Sequence, residues 1–183
     1  VLELSFSSWE SFISRQKPLT SEWLNNAKED KFKECVSDST GLNLSNLKFI
    51  TAVLVFIKIF KRELKDEKNI GILLPSSSIA AIVNMALLTM GKVSVNLNYT
   101  LNVASLNHAL RKANINTVIT SSKFLEKLAL KGFDLKDAMS EKAKFAEDLS
   151  ASVSKKEKFL ALLTAFFAPV WLIKLCYFKR VSL

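Results

Sequence analysis

The run NIGILLP, from Asn69 to Pro75, is the feature that most limits how this chain can fold. It is apolar without alternation and ends at a proline, which is typical of a strand buried on both faces of a sheet. Such strands occur in parallel sheets, whose neighbouring strands must be joined by crossover segments, usually helices. The sequence that follows should therefore contain further strands separated by helices.

The sequence after this run shows that alternation. Apolar residues recur at spacings of three and four over residues 77–90, which predicts an amphipathic helix that ends at Gly91. KVSVNL then predicts a strand, the apolar positions of 106–113 predict a second helix, and TVITS predicts a third strand. This order predicts the α/β class, with a partial parallel sheet and flanking helices.

The region upstream predicts a hairpin and a helix. CVSDSTGLNLS, from Cys35 to Ser45, reads as two short strands around a turn, and Ser45 is placed to cap a helix that runs to Leu64. We divide the chain into three parts: a helical lead-in or linker at 1–33, an α/β part at 34–122, and, at 123–183, a charged helical excursion followed by a helical amphipathic C-terminal tail.

The tail segment FLALLTAFFAPVWLIKLCYF, from Phe159 to Phe178, has the strongest compositional bias in the chain. It reaches the ~20 residues of a membrane span only by including a proline and a lysine. At about 100° per residue, its first half divides into an arc of large apolar side chains and an arc that includes Ala161 and Ala165. This division predicts an interfacial helix. The alternatives are a helix packed on the protein's own core or on residues missing from this sequence, and a helix that spans the membrane.

Charge supports a surface role for this tail. The chain has 26 lysines and arginines against 17 aspartates and glutamates, a net charge of +9, which suits an anionic partner such as phospholipid, nucleic acid or an acidic carrier protein. We predict that the tail lies on an anionic membrane surface. The residues predicted to face the membrane are Lys155, Lys156, Lys158, Phe159, Leu163, Phe166, Phe167, Trp171, Lys179 and Arg180.

The sequence offers few groups for catalysis. Its four glycines are too far apart for a phosphate-binding loop, and neither GxGxxG nor GxxxxGK occurs. Cys35 and Cys176 lack CxxC spacing, and His108 falls on the polar side of its helix. The serines of PSSSI, Pro75 to Ile79, predict a helix cap rather than an anion site. No residue is predicted to be catalytic or to bind a cofactor or metal.

The segment GILLPSSSIAAIVNMALLTMGKVSVNLNYT, followed by LNHALRKANINTVITS, resembles the N-terminal part of the adenylate-forming (AMP-binding) enzymes, which include acyl-CoA synthetases. VNLNYT is most similar to the acyl-acyl-carrier-protein synthetase domain of the bacterial bifunctional 2-acylglycerophosphoethanolamine acyltransferases. The chain departs from many members at Ser76, where they have asparagine, and at Val95, where they have proline. The residues of the family-signature loop are Asn96, Asn98, Tyr99 and Thr100.

The resemblance implies a ligase that uses ATP and Mg to activate a fatty acid as acyl-AMP and passes the acyl group to acyl carrier protein or CoA. It implies phospholipid reacylation, a cytoplasmic location peripheral to the inner membrane, and no nucleic-acid partner. The family's Ser/Thr/Gly-rich ATP loop does not occur in the sequence, so we expect a fragment that is inactive alone. The alternatives are a non-catalytic membrane-peripheral interaction domain and a truncated gene product that folds poorly.

Overall fold

The computed structural model describes residues 18–39, 41–64, 66–133, 135, 139 and 142–179. Its helices are α1 (Leu19–Glu29), α2 (Asn46–Glu63), α3 (Ser78–Thr89), α4 (Val103–Lys112), α5 (Ser122–Leu130), α6 (Ala146–Ala151), α7 (Lys155–Phe167) and α8 (Val170–Tyr177). Its strands are β1 (Glu34–Ser37), β2 (Asn43–Ser45), β3 (Asn69–Leu73), β4 (Val93–Asn96), β5 (Val118–Thr120) and β6 (Ala143–Phe145). Arg180 and most of the predicted lead-in lie outside the described residues.

A four-stranded parallel sheet organises the chain, with its strands in the order β4-β3-β5-β6. The predicted α/β class is confirmed, and so are the three strands predicted for the parallel sheet, which are β3, β4 and β5. In the centre of the sheet, Gly71 lies opposite Val95 of β4 and Val118 of β5. The Thr120 hydroxyl donates a hydrogen bond to the Leu73 carbonyl at 2.8 Å, which ties the ends of β3 and β5 together.

Helices cover both faces of this sheet. On one face, Ile70, Ile72 and Ile119 pack in the core cluster that contains the buried side of α2, together with parts of α3, α6 and α7. On the other face, Leu73 and Val118 pack in a second cluster with α4 and α5. Successive residues of β3 therefore enter opposite cores, as its continuous apolar run predicted.

The local turn and cap signals are also confirmed. β1 and β2 pair as an antiparallel hairpin. The Ser45 hydroxyl accepts a hydrogen bond from the Lys48 backbone N–H at 3.4 Å and caps α2. Gly91 follows α3 with φ of 66°, a left-handed conformation that costs glycine little.

The fourth strand corrects the prediction for the charged segment. β6 lies within the part predicted as a helical surface excursion, yet it pairs with β5 in register. Ala143 and Phe145 pack against the second core cluster, while Lys144 forms an ion pair with Glu63 of α2 at 2.7 Å. Three residues are too few to show the alternation of apolar and polar side chains that indicates a strand. The strand is therefore recognisable only from its pairing with β5.

Candidate functional site

The carboxyl edge of the sheet is the first candidate site. The buried residues of α3 belong to one core cluster and those of α5 to the other, so the loops that leave β3 and β5 diverge towards opposite faces. Ligands of open α/β sheets bind in the crevice that such divergence creates. The polar loops that follow β3, β4 and β5 all lie at this edge.

The loop after β3 caps the N-terminus of α3. The Ser77 hydroxyl accepts a hydrogen bond from the Ala80 N–H at 3.4 Å. The carboxylate of Asp38, in the turn of the β1–β2 hairpin, accepts one from the Ser78 N–H at 2.8 Å. A carboxylate of the chain itself therefore occupies the place where a helix N-terminus would hold an anionic ligand, which agrees with the predicted cap.

We expect the Asp38→Ala substitution to lower the free energy of unfolding by about 1–2 kcal/mol, because the N–H of the buried Ser78 loses a charged acceptor. Urea denaturation measures the change. The control is Ser39→Ala, one residue along the same turn and exposed, which should stay within about 0.5 kcal/mol of the parent chain. Equal losses for the two variants would contradict a capping role for Asp38.

Of the four predicted signature residues, Asn96 ends β4 and the other three lie in the loop that follows, whose geometry is that of a turn. The Asn98 side-chain oxygen accepts hydrogen bonds from the Thr100 N–H at 2.9 Å and the Thr100 hydroxyl at 2.8 Å. The Asn96 amide pairs with the Asn84 amide of α3 at 3.3 Å. The Tyr99 ring packs edge-on against Phe124 of α5, with centroids 5.4 Å apart. These side chains connect the loop to helices on both faces of the sheet.

Glu147, at the start of α6, is a group at this edge that sequence reasoning missed. Its carboxylate accepts hydrogen bonds from the Ser122 N–H at 2.9 Å, the Ser122 hydroxyl at 2.7 Å and the Ser121 hydroxyl at 3.2 Å. Partial burial raises the pKa of Glu147, but the hydrogen bonds from Ser122 and Ser121 outweigh it and hold that pKa below its usual range. The ionised carboxylate thus caps α5 and joins it to α6.

The titratable groups considered from the sequence do not come together. His108 is exposed on α4, and Cys35 and Cys176 are free thiols. Across the described ranges, no three His, Cys, Asp or Glu side chains are grouped so that they could hold a metal ion.

The second candidate surface is formed by α7 and α8. α7 begins with a capping box, in which the Ser154 hydroxyl accepts from the Glu157 N–H and the Glu157 carboxylate accepts from the Ser154 N–H. The backbone hydrogen bond from Ser154 lowers the pKa of Glu157. The same carboxylate pairs with Arg62 of α2 at 3.1 Å, so this side of α7 faces α2.

α7 packs through its small side chains and leaves most of its large ones in solvent. Ala161 and Ala165 are fully buried in the core cluster that includes α2. Phe159 is 59% exposed and Phe167 is 73% exposed. The predicted division of the helix into two arcs is confirmed, and the arc of large apolar residues points away from the core. In α8, Trp171 is 66% exposed.

The chain itself contacts part of the predicted membrane-facing set. Phe166 is half-buried. The centroid of its ring is 6.4 Å from that of Phe32 and 4.8 Å from the Lys31 ammonium. Leu163 is also half-buried. Lys155, Lys156, Lys158 and Lys179 are exposed. Among the helices that the structure describes, none is both long and apolar enough to cross a bilayer.

A lysine of α1 holds the end of α7. The Lys28 ammonium donates hydrogen bonds to the carbonyls of Ala165 at 2.9 Å and Ala168 at 2.8 Å. Cations stabilise a helix C-terminus because the last carbonyls have no partner within the helix. Burial, and then the neighbouring Lys31, lower the pKa of Lys28.

Comparison with solved structures defines the fold. The chain matches no sequence model of a known protein family. The crystal structure of VinN superposes on 92% of the chain with a TM-score of 0.67 and 17% identity. The O-succinylbenzoate coenzyme A synthetase MenE from Bacillus subtilis, solved with ATP and magnesium, superposes on 73% with a TM-score of 0.57 and 13% identity. A fatty acyl CoA synthetase from Mycobacterium tuberculosis superposes on 72%, with a TM-score of 0.58 and 12% identity.

The chain therefore has the fold of the N-terminal part of adenylate-forming enzymes, which confirms the predicted resemblance at the level of the fold. It spans 40%, 34% and 27% of the lengths of these three proteins, less than half in each case. The finer resemblance to acyl-acyl-carrier-protein synthetases stays a prediction.

Proposed function

We propose that this chain is the N-terminal part of an ATP-dependent ligase that activates a fatty acid as acyl-AMP. The observation that carries the proposal is the β4-β3-β5-β6 sheet with the Asn96–Thr100 turn at its carboxyl edge, in a fold shared with a fatty acyl CoA synthetase. In the complete enzyme, the fatty-acid carboxylate would attack the α-phosphate of ATP and release pyrophosphate. A thiol would then take the acyl group and release AMP.

The chain's own groups are hydrogen-bonded to each other at this edge of the sheet. The Asp38 carboxylate accepts from the Ser78 N–H at the α3 N-terminus, and the Asn98 side chain accepts from Thr100. We propose that this part of the ligase has a structural role, in which the sheet and its loops form one wall of the large domain. ATP and Mg would be held by residues beyond this part, such as the family's Ser/Thr/Gly-rich loop.

The test is fatty-acid-dependent exchange of pyrophosphate into ATP. We expect no exchange by the 183-residue chain, and exchange by the polypeptide extended through the coding sequence that follows it. Exchange by the chain alone would contradict its assignment as a part without the active site. A downstream sequence that lacks the Ser/Thr/Gly-rich loop would contradict a ligase and favour the non-catalytic interaction domain, which the exposed α7 side chains support.

The similarity of VNLNYT to acyl-acyl-carrier-protein synthetases supports a finer proposal, that the acceptor is the thiol of acyl carrier protein and the acyl group serves phospholipid reacylation. With the extended polypeptide and labelled fatty acid, we expect label on acyl carrier protein. Transfer to CoA alone would contradict acyl carrier protein as the acceptor but would not contradict the proposed adenylation.

A further inference from the structure

The apolar surface that α7 and α8 leave exposed has no partner among the described residues that accounts for it. Its members are large apolar side chains on the arc opposite to the buried alanines, together with two exposed residues of α8. We define the outward face as Phe159, Leu160, Leu162, Phe167, Trp171 and Leu175. We propose that the outward face docks the chain on the surface of an anionic lipid bilayer, in the interfacial region and without crossing it.

The orientation of α7 is held by contacts at both of its ends. Glu157 pairs with Arg62 of α2 at the beginning of the helix, and Lys28 of α1 binds the carbonyls of Ala165 and Ala168 at its end. Between these contacts, Ala161 is fully buried. Turning the outward face towards the core would break all of these contacts, so its exposure is a property of the folded chain.

The charges around the outward face favour lipid over another apolar protein surface. At about 100° per residue, Lys155 and Lys156 fall on the same arc as Phe159 and Phe167. The acidic residue of α7, Glu157, lies on the opposite side and is paired with Arg62. An apolar helix face that carries lysines and no carboxylate complements anionic headgroups, which attract the ammonium groups while the acyl region takes the apolar side chains.

α8 extends this surface into an apolar cleft. Trp171 and Leu175 are four residues apart, on one side of α8, and line a cleft of about 980 Å³ together with Leu19 and Leu88. Lys179 lines the same cleft. Tryptophan is enriched at membrane interfaces because its ring is apolar and its indole N–H is polar. The cleft therefore combines apolar walls with an ammonium group, a combination that suits an anionic lipid.

The test is co-flotation of the full chain with lipid vesicles. We expect binding to vesicles of phosphatidylcholine mixed with phosphatidylglycerol, and much weaker binding to phosphatidylcholine alone. The double variant Lys155→Gln/Lys156→Gln should lower the partition coefficient on the anionic vesicles by on the order of tenfold. High salt should have a similar effect, because it screens exposed charges.

Apolar substitutions provide the matched comparison. The double variant Leu160→Ser/Phe167→Ser should lower binding at least ~10-fold, because two side chains that would enter the lipid are lost. The control is Leu130→Ser on α5, at a residue that is 88% exposed and lies across the sheet from α7. It should change binding by no more than about twofold, since an isolated exposed leucine is ordinary. Far-ultraviolet circular dichroism would check that each variant is folded.

Three outcomes would overturn the proposal: no binding to the anionic vesicles, equal binding to neutral vesicles, or an equal loss with Leu130→Ser. A dimer in sedimentation that Leu160→Ser/Phe167→Ser dissociates, without vesicle binding, would assign the outward face to a second copy of the chain instead. The assay uses neither ATP nor fatty acid, so its failure would leave the proposed ligase activity unaffected.

Discussion

Replacing Phe60 with alanine is expected to lower the free energy of unfolding by about 3–5 kcal/mol. Phe60 is fully buried in α2, and its ring packs against that of Phe56 with centroids 5.5 Å apart. It belongs to the core cluster between α2 and the sheet, so its removal would leave a cavity that well-packed neighbours cannot readily fill. Urea denaturation would show a lower midpoint with an unchanged slope if the native state stays compact.

Phe159→Ala is the matched control, because it deletes the same phenyl ring from an exposed position on the outward face. We expect its free energy of unfolding to stay within about 0.5 kcal/mol of the parent chain in the absence of lipid. A loss at Phe159 as large as that at Phe60 would show that α7 turns its large side chains inward.

Replacing Ala161 with leucine is expected to lower the free energy of unfolding by about 1–3 kcal/mol. Ala161 is fully buried where α7 packs along α2, and a longer side chain would push the two helices apart. The strain would reach the ends of the helix, where Glu157 contacts Arg62 and Lys28 contacts Ala165. Chemical denaturation followed by circular dichroism measures the loss.

The neighbouring substitution Leu160→Ala gives the contrast. Leu160 is exposed on the outward face, so its truncation should change the free energy of unfolding by no more than about 0.5 kcal/mol. If the large apolar arc packed on the core, Leu160→Ala would be the damaging substitution and Ala161→Leu the mild one. That reversed order would contradict the orientation of α7.

The central strands could be predicted because each has a local signal strong enough to stand alone. NIGILLP is apolar throughout and ends at a proline, and the helix after it ends at Gly91. β6 has no such signal, since Lys144 lies between Ala143 and Phe145 in a charged stretch. These three residues form a strand because they pair with β5, and Lys144 forms an ion pair with Glu63 of α2.

In the candidate site, too, only the features with a local sequence signal could be predicted. The turn at Asn98 and Thr100 is local, and it falls within the signature loop that the family resemblance gave. The contact between Asp38 and Ser78 joins residues 40 positions apart, and that between Glu147 and Ser122 joins residues 25 apart. Spacing along a chain carries no information on such pairs. The tertiary fold brings the hairpin turn to the α3 N-terminus, and the parallel sheet brings the ends of β5 and β6 to one edge.

In α7, one property follows from the sequence alone and another depends on the tertiary structure. The helical period determines the angles between side chains, so the sequence alone divided this helix into an arc of large apolar residues and an arc with Ala161 and Ala165. Which arc is buried depends on the surface that receives the helix. α2 packs closely against the alanines, with Arg62 and Lys28 binding the two ends of α7, so the small side chains enter the core and most of the large ones remain exposed.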